Sequence, residues 1–256
     1  MNRIAQAFSG GNKAFIPFIT GGDPTIETTE KLLFALDKAG ADIIEIGIPF
    51  SDPIAEGSVI EDASERALKN GCTVDMLFDM ISCIRGEIKA AILFMTYYNP
   101  VYAYGVEKFT ARAKSCGLDG LIVPDLPFEE RDELLKPCND NGLELISLIA
   151  PTSESRIDEI AKNSGGFLYC VSSLGVTGAR DAIDTSSESM IRRAKAVSDV
   201  PCCVGFGVSN VAQAKALAKF ADGVIVGSAI VKLIAQYGKD SIEPVYEFAR
   251  EIKAAI

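Results

Sequence analysis

The stretch "AGADIIEIGIP", residues 39–49, decides how the rest of the chain is read. It runs as a helix end, an aspartate at position 42, an apolar strand, then glycine and proline. The same order returns in "CGLDGLIVPDLP" at 116–127 and in "FADGVIVGSA" at 220–229. Recurrence of this kind is the trace of one βα unit used repeatedly.

Working outward, apolar runs occupy residues 14–20, 41–48, 90–98, 118–126, 143–151, 166–173, 200–208 and 221–228. They are apolar almost throughout, as parallel strands buried on both faces must be. Amphipathic stretches separate them. "TIETTEKLLFALDKAG" has Thr25 placed to cap a helix and Gly40 placed to end it. "GVEKFTARAKSCG", "NVAQAKALAKFADG" and "SIEPVYEFAREIKAAI" carry the same pattern, and "NRIAQAFSGG" adds a helix before the first strand. Eight βα units in 256 residues, with no linker or compositional break, predict one α/β domain over residues 1–256. The expected architecture is a single (β/α)8 TIM barrel with an extra N-terminal helix. A doubly wound open sheet is the alternative.

The net charge is -10 and no basic run is longer than the pair Arg192–Arg193, which argues against nucleic acid as a partner. No apolar run reaches the roughly 18–20 residues of a membrane span. The N-terminal "MNRIAQAFSGGNKAF" lacks the apolar core of a signal peptide, so a cytoplasmic location is expected. Seven cysteines without a C-x-x-C read as reduced core thiols, and Cys202 and Cys203 should face opposite sides of a strand. Histidine is absent, which removes His-based triads and most zinc sites. Acid–base work is left to carboxylates, tyrosine, lysine and thiols.

In such a barrel the chemistry sits at the C-terminal ends of the strands. Glu45 is the anomaly there, a carboxylate within an apolar strand. If it faces the lumen, desolvation raises its pKa and lets it carry a proton near neutral pH. The competing reading is a buried ion pair, but none of the eight apolar runs contains Lys or Arg. Glu56, in the loop stiffened by Pro49 and Pro53, reads alone as a solvated residue; beside Glu45 it is a second acid–base candidate. Gly207, Gly227 and Ser228 follow the last two strands, where backbone N–H groups and a helix N-terminus can hold a phosphate. Tight glycine packing is the competing reading. The long segment "SSLGVTGARDAIDTSSES" after strand six is expected to be a lid, with Gly178 reaching the phosphate. No strand lysine for a Schiff base, no metal cluster and no nucleotide fingerprint is present in the sequence. Cofactor-free proton transfer on a phosphorylated molecule remains.

The motifs "PFITGGDP", "IEIGIPFSDPIAEG", "MTYYNP", "VPDLPFEE", "LYCVSSLGVTGAR", "VGFGVS" and "VIVGSAIV" resemble, in the same order, those of the tryptophan synthase alpha subunit family. The resemblance spans nearly the whole chain. It implies retro-aldol cleavage of indole-3-glycerol phosphate to indole and glyceraldehyde 3-phosphate, with no cofactor on this chain. It further implies Glu45 as the proton donor to indole C3 and Glu56 as the group that holds the indole N–H. The family's usual residue at position 56 is Asp, followed by Gly-Pro; here Glu56 is followed by Gly57 and Ser58.

By the same resemblance Tyr169 stands near the reacting atoms, Phe18 and Tyr97 line the indole site, and Thr177 belongs to the lid. Gly178, Gly207, Gly227 and Ser228 match the phosphate cradle. Asp52, Pro53 and Pro127 match the contact region for a beta subunit in an α2β2 heterotetramer, whose pyridoxal phosphate belongs to that partner. Two other readings stay open: a different phosphate-binding barrel enzyme, such as a sugar-phosphate isomerase, and a catalytically weakened subunit that acts mainly as an allosteric activator of a beta partner.

Overall fold

A computed structural model describes residues 2–171, 186–205 and 207–256. Eight parallel strands follow one another around a closed barrel. They are β1 (Ala14–Thr20), β2 (Ile43–Gly47), β3 (Ala91–Met95), β4 (Gly120–Ile122), β5 (Glu144–Ile149), β6 (Leu168–Val171), β7 (Cys202–Gly205) and β8 (Gly223–Val226). Each expected apolar run contains one of them; the first coincides with β1 and the other seven are trimmed at their ends. Closure is made by β1 against β8, with Ala14 opposite Gly223 and Pro17 opposite Val226. The open-sheet alternative therefore falls.

The recurrent aspartates have a structural reason. Asp42 accepts the Phe15 N–H at 2.7 Å, Asp119 the Ile92 N–H at 2.9 Å, and Asp222 the Cys202 N–H at 2.9 Å. Each carboxylate thus pins its strand to the one beside it at the barrel's N-terminal rim. Cations complete the arrangement: Lys253 on Asp42 at 2.8 Å, Arg85 on Asp119 at 3.1 Å and Lys195 on Asp222 at 2.7 Å. The helix Ile26–Lys38 starts where Thr25 accepts the Thr28 N–H, and Gly40 follows it at φ +93°, a conformation that favours glycine.

Strand alternation sorts the core into two shells. Phe15, Ile44, Ile92, Leu121, Cys202 and Val224 face the helices. Ile16, Ile43, Leu93, Ile122, Ile146, Tyr169, Cys203 and Ile225 face inward. The N-terminal helix Arg3–Ala7 closes the bottom of the barrel, placing Ile4 and Ala7 in the inner shell. Cys202 and Cys203 fall on opposite faces, and all seven cysteines are free, Cys83 alone being exposed.

Candidate active site

Glu45 has the parity of Ile43, so its side chain enters the inner shell, opposite Phe18 on β1 and Leu93 on β3 in register. Its exposure is 0%, and neither carboxyl oxygen has a hydrogen-bond partner among the described residues. The buried ion pair is thereby excluded. Burial alone drives its pKa well above the ordinary carboxylate range, which favours the protonated acid.

A cavity of about 660 Å³ opens at the C-terminal ends of the strands. Phe18, Glu56, Tyr169, Gly207, Gly227 and Ser228 all contribute to its wall. Glu45 does not; it lies one layer below. A Cβ at Gly47, the next inward position on β2, would meet Phe18 Cζ at 2.6 Å, so the Phe18 ring occupies the space above the carboxyl group. Tyr169 approaches from β6. A Cβ at Gly205 would lie 2.6 Å from its hydroxyl oxygen, so glycine there makes room for the phenol. Burial, then the neighbouring Glu45 and Cys203, push the Tyr169 pKa well up and keep it neutral.

Glu56 is half-buried on the cavity wall. Its pKa is pushed up to about 7, first by burial and then by Glu61. Tyr97, matched by resemblance to the indole site, is 4% exposed and stands against the loop that carries Glu56. Its hydroxyl accepts the Ile54 N–H at 3.2 Å and the Ala55 N–H at 3.0 Å, fixing that loop. The Phe50 ring packs on it, with centroids 5.4 Å apart.

Across the cavity, Gly207 takes φ +80°, a conformation that requires glycine. Gly227 caps the helix Ser228–Tyr237, whose first turn holds no acidic residue. The carbonyl of Gly227 accepts from Ile230 and Val231, which leaves the N–H groups of the first turn directed at the cavity, with the positive end of the helix dipole behind them. Thr177 and Gly178 lie outside the described residues. Among the described residues no group of His, Cys, Asp or Glu could hold a metal ion.

The rim is uneven. Asp52 and Pro127 are exposed and Pro53 is half-buried. Ile54, beside them, is 76% exposed and also touches the cavity. It was not singled out from the sequence, although an isoleucine between Pro53 and Ala55 in a polar loop is a readable signal. Asp125, Arg131 and Arg156 on the cavity wall were also missed. Asp125 accepts the Tyr98 N–H at 2.9 Å and so holds the start of the helix Tyr98–Tyr104.

The family described as Tryptophan synthase alpha chain matches residues 4–256. The chain belongs to that family. The tryptophan synthase alpha chain of Halalkalibacterium halodurans is 47% identical over 245 residues, covering 95% of this chain and 92% of the relative. That of Microcystis aeruginosa is 47% identical over 263 residues, covering 100% of both. Among solved structures, a chain of the tryptophan synthase α2β2 complex of Pyrococcus furiosus superposes with a TM-score of 0.88 at 40% identity, covering 94% of this chain and 98% of that one. A chain of Mycobacterium tuberculosis tryptophan synthase gives 0.91 at 35% identity, covering 99% and 96%. As a member of the tryptophan synthase alpha chain family, the protein is a lyase of tryptophan synthesis. Among its described residues no helix is long and apolar enough to cross a membrane.

Proposed function

We propose that this chain cleaves indole-3-glycerol phosphate to indole and glyceraldehyde 3-phosphate, with Glu45 as the acid–base catalyst. The observation that carries the reading is a fully buried carboxyl group, unpartnered among the described residues, in register with the Phe18 that lines a cavity ending in a helix N-terminus. Glu45 rises past the Phe18 ring and delivers its proton to indole C3. The resulting indolenine is an electron sink. The carboxylate then takes the proton of the hydroxyl on the adjacent glycerol carbon. As that carbon becomes a carbonyl, the C–C bond breaks and its electron pair restores the aromatic ring. Glu45 ends protonated, and no electron acceptor is consumed.

Glu56, when ionised, accepts the indole N–H, a hydrogen bond that strengthens as positive charge develops on the ring. Tyr97 positions it by holding residues 54 and 55. Tyr169 donates a neutral hydroxyl near the reacting carbons. Gly207, Gly227 and Ser228 receive the phosphate through backbone N–H groups, with Gly178 and Thr177 as the lid. Among the described residues no strand carries a lysine, which fits a mechanism without a Schiff base. We assign pyridoxal phosphate to the partner, a beta subunit. It would dock in an α2β2 assembly against the rim formed by Asp52, Pro53, Ile54 and Pro127.

The test is Glu45→Gln assayed for indole release from indole-3-glycerol phosphate. Turnover should be lost while substrate binding is largely kept, because only the transferable proton is removed. Near-normal turnover would refute the role. Product analysis separates this lyase from a phosphate-sugar isomerase, which releases no indole. The weakened-subunit reading is less well supported, since Glu56 reaches the cavity wall despite its extra methylene. Were it correct, Glu56→Asp would raise turnover.

A further inference from the structure

The cavity does not stop at the barrel mouth. It touches both faces of β5: Ile146 and Leu148 on the inward face, Leu145, Ser147 and Ile149 on the outward face. A barrel strand's outward face is normally sealed by its helices. Other strands seal theirs with residues such as Ile44, Ile92, Leu121 and Val224. On β5 the outward Leu145 and Ile149 are buried, but the short Ser147 between them remains half-buried. The flanking helices Asp132–Asp140 and Ile157–Lys162 both lean on β5, and a space stays open between them, continuous with the mouth.

That space contains one distinctive group. Arg131 reaches over the outward face and donates to Ser147 Oγ at 3.2 Å and to the Asn163 carbonyl at 3.0 Å. Its guanidinium carbon lies 3.9 Å from the centre of the Phe128 ring. Among the described residues it makes no hydrogen-bonded ion pair, the adjacent Asp132 acting on it only through its charge, whereas the neighbouring Arg156 is held by both oxygens of Glu129, at 2.7 and 2.9 Å. A guanidinium has five N–H donors, so Arg131 keeps donors for an acceptor of opposite charge. Beside it, Leu145, Ile149 and Ile160 form an apolar wall.

We propose that the space behind β5 is a second binding site, for a small organic carboxylate with an apolar tail. Arg131 takes the carboxylate in the planar, forked geometry that guanidinium and carboxylate share, and the tail lies against Leu145, Ile149 and Ile160. This site is separate from the chemistry proposed for the mouth and does not depend on it.

The probe is 4-phenylbutyrate, titrated calorimetrically into the full chain, with 4-phenylbutanol and acetate as comparisons. Arg131→Gln should weaken binding of the probe by about tenfold or more, the loss expected for one charge-assisted contact. Arg131→Lys should recover part of it. Ser147→Leu should abolish binding by filling the space. Ser228→Asp, in the mouth, should leave the affinity unchanged. Both comparison compounds should bind more weakly, one lacking the charge and the other the tail. The proposal is overturned if the probe does not bind the unaltered chain at millimolar concentration, if Arg131→Gln binds it equally well, or if Ser228→Asp removes binding. Thermal melting confirms that each variant is folded; should Ser147→Leu fail to fold, Arg131→Gln at its half-exposed position decides.

Discussion

Glu45→Leu should make the protein more stable and inactive. The wild-type carboxyl group is 0% exposed with both oxygens unpartnered. Leaving such a group without hydrogen bonds costs about 1–3 kcal/mol. Leucine removes that cost and adds apolar contact with Leu93 and the Phe18 ring. Its branched shape returns up to about 1 kcal/mol as strain in a packed interior. The net gain is about 2 kcal/mol. For a chain of this length each kcal/mol moves Tm by about 2–4 °C, so an increase of about 4–8 °C is expected.

The gain should also depend on pH, with a defined sign. The folded-state pKa of Glu45 lies well above its ordinary value of 4.5. Between those two values the folded chain holds a proton that the unfolded chain has lost. Raising the pH through that window therefore lowers wild-type stability. Glu45→Leu has no such group, so its advantage should be larger at pH 8 than at pH 5. Thermal unfolding at both pH values, with indole release measured in parallel, checks this. A leucine variant less stable than wild type at both, or one whose advantage does not change with pH, would show that the carboxyl group is compensated and the reasoning wrong.

Three further outcomes are expected. Glu56, displaced from 4.5 to about 7, carries no more than about 3.5 kcal/mol at about 1.4 kcal/mol per pKa unit, and partial exposure reduces that to about 1–2 kcal/mol. Its raised pKa means that stability is lost as pH rises from about 5 to 8; Glu56→Gln should be the more stable protein at pH 8 and no better than wild type at pH 4, as read by urea unfolding. Tyr97→Phe removes the acceptor of two backbone N–H groups and should lower kcat about tenfold by loosening the Glu56 loop. A steady-state assay showing unchanged kcat would remove Tyr97 from the positioning of that loop. Ser228→Asp should raise KM about tenfold at low salt, and less at high salt, by repelling the phosphate; a KM that does not move would place the phosphate elsewhere.

The barrel was legible because the strands are largely apolar on both faces and three of the eight units begin with the same aspartate. What the sequence could not show was where each strand ends. The 118–126 run shortens to β4, Gly120–Ile122, because Pro124 and Asp125 belong to the loop that holds the helix after β3. Glu45 was legible because one charged residue in an apolar strand breaks the pattern. Tyr97 was named by resemblance alone, and nothing in the sequence showed its bond to the loop that carries Glu56. Its hydroxyl serves the backbone of residues some forty positions earlier, a pairing set by tertiary geometry alone. Arg131 was missed because, in "PFEERDE", it reads as a solvated charge among acids.

Glu45 and Ser147 are the same kind of irregularity on opposite faces of the sheet. An inward polar residue replaces packing with an acid that can move into the cavity. An outward short residue replaces packing with space that an arginine spans without filling. Both cost stability that a barrel optimised only for folding would have kept. For Glu45 the lost stability has a chemical return under the proposed function: burial favours the protonated form that the reaction needs. The same logic predicts that Ser147→Leu, if it folds, raises Tm as Glu45→Leu does while sparing indole release. A variant that gains stability but loses turnover would instead show that the space behind β5 serves the chemistry at the mouth.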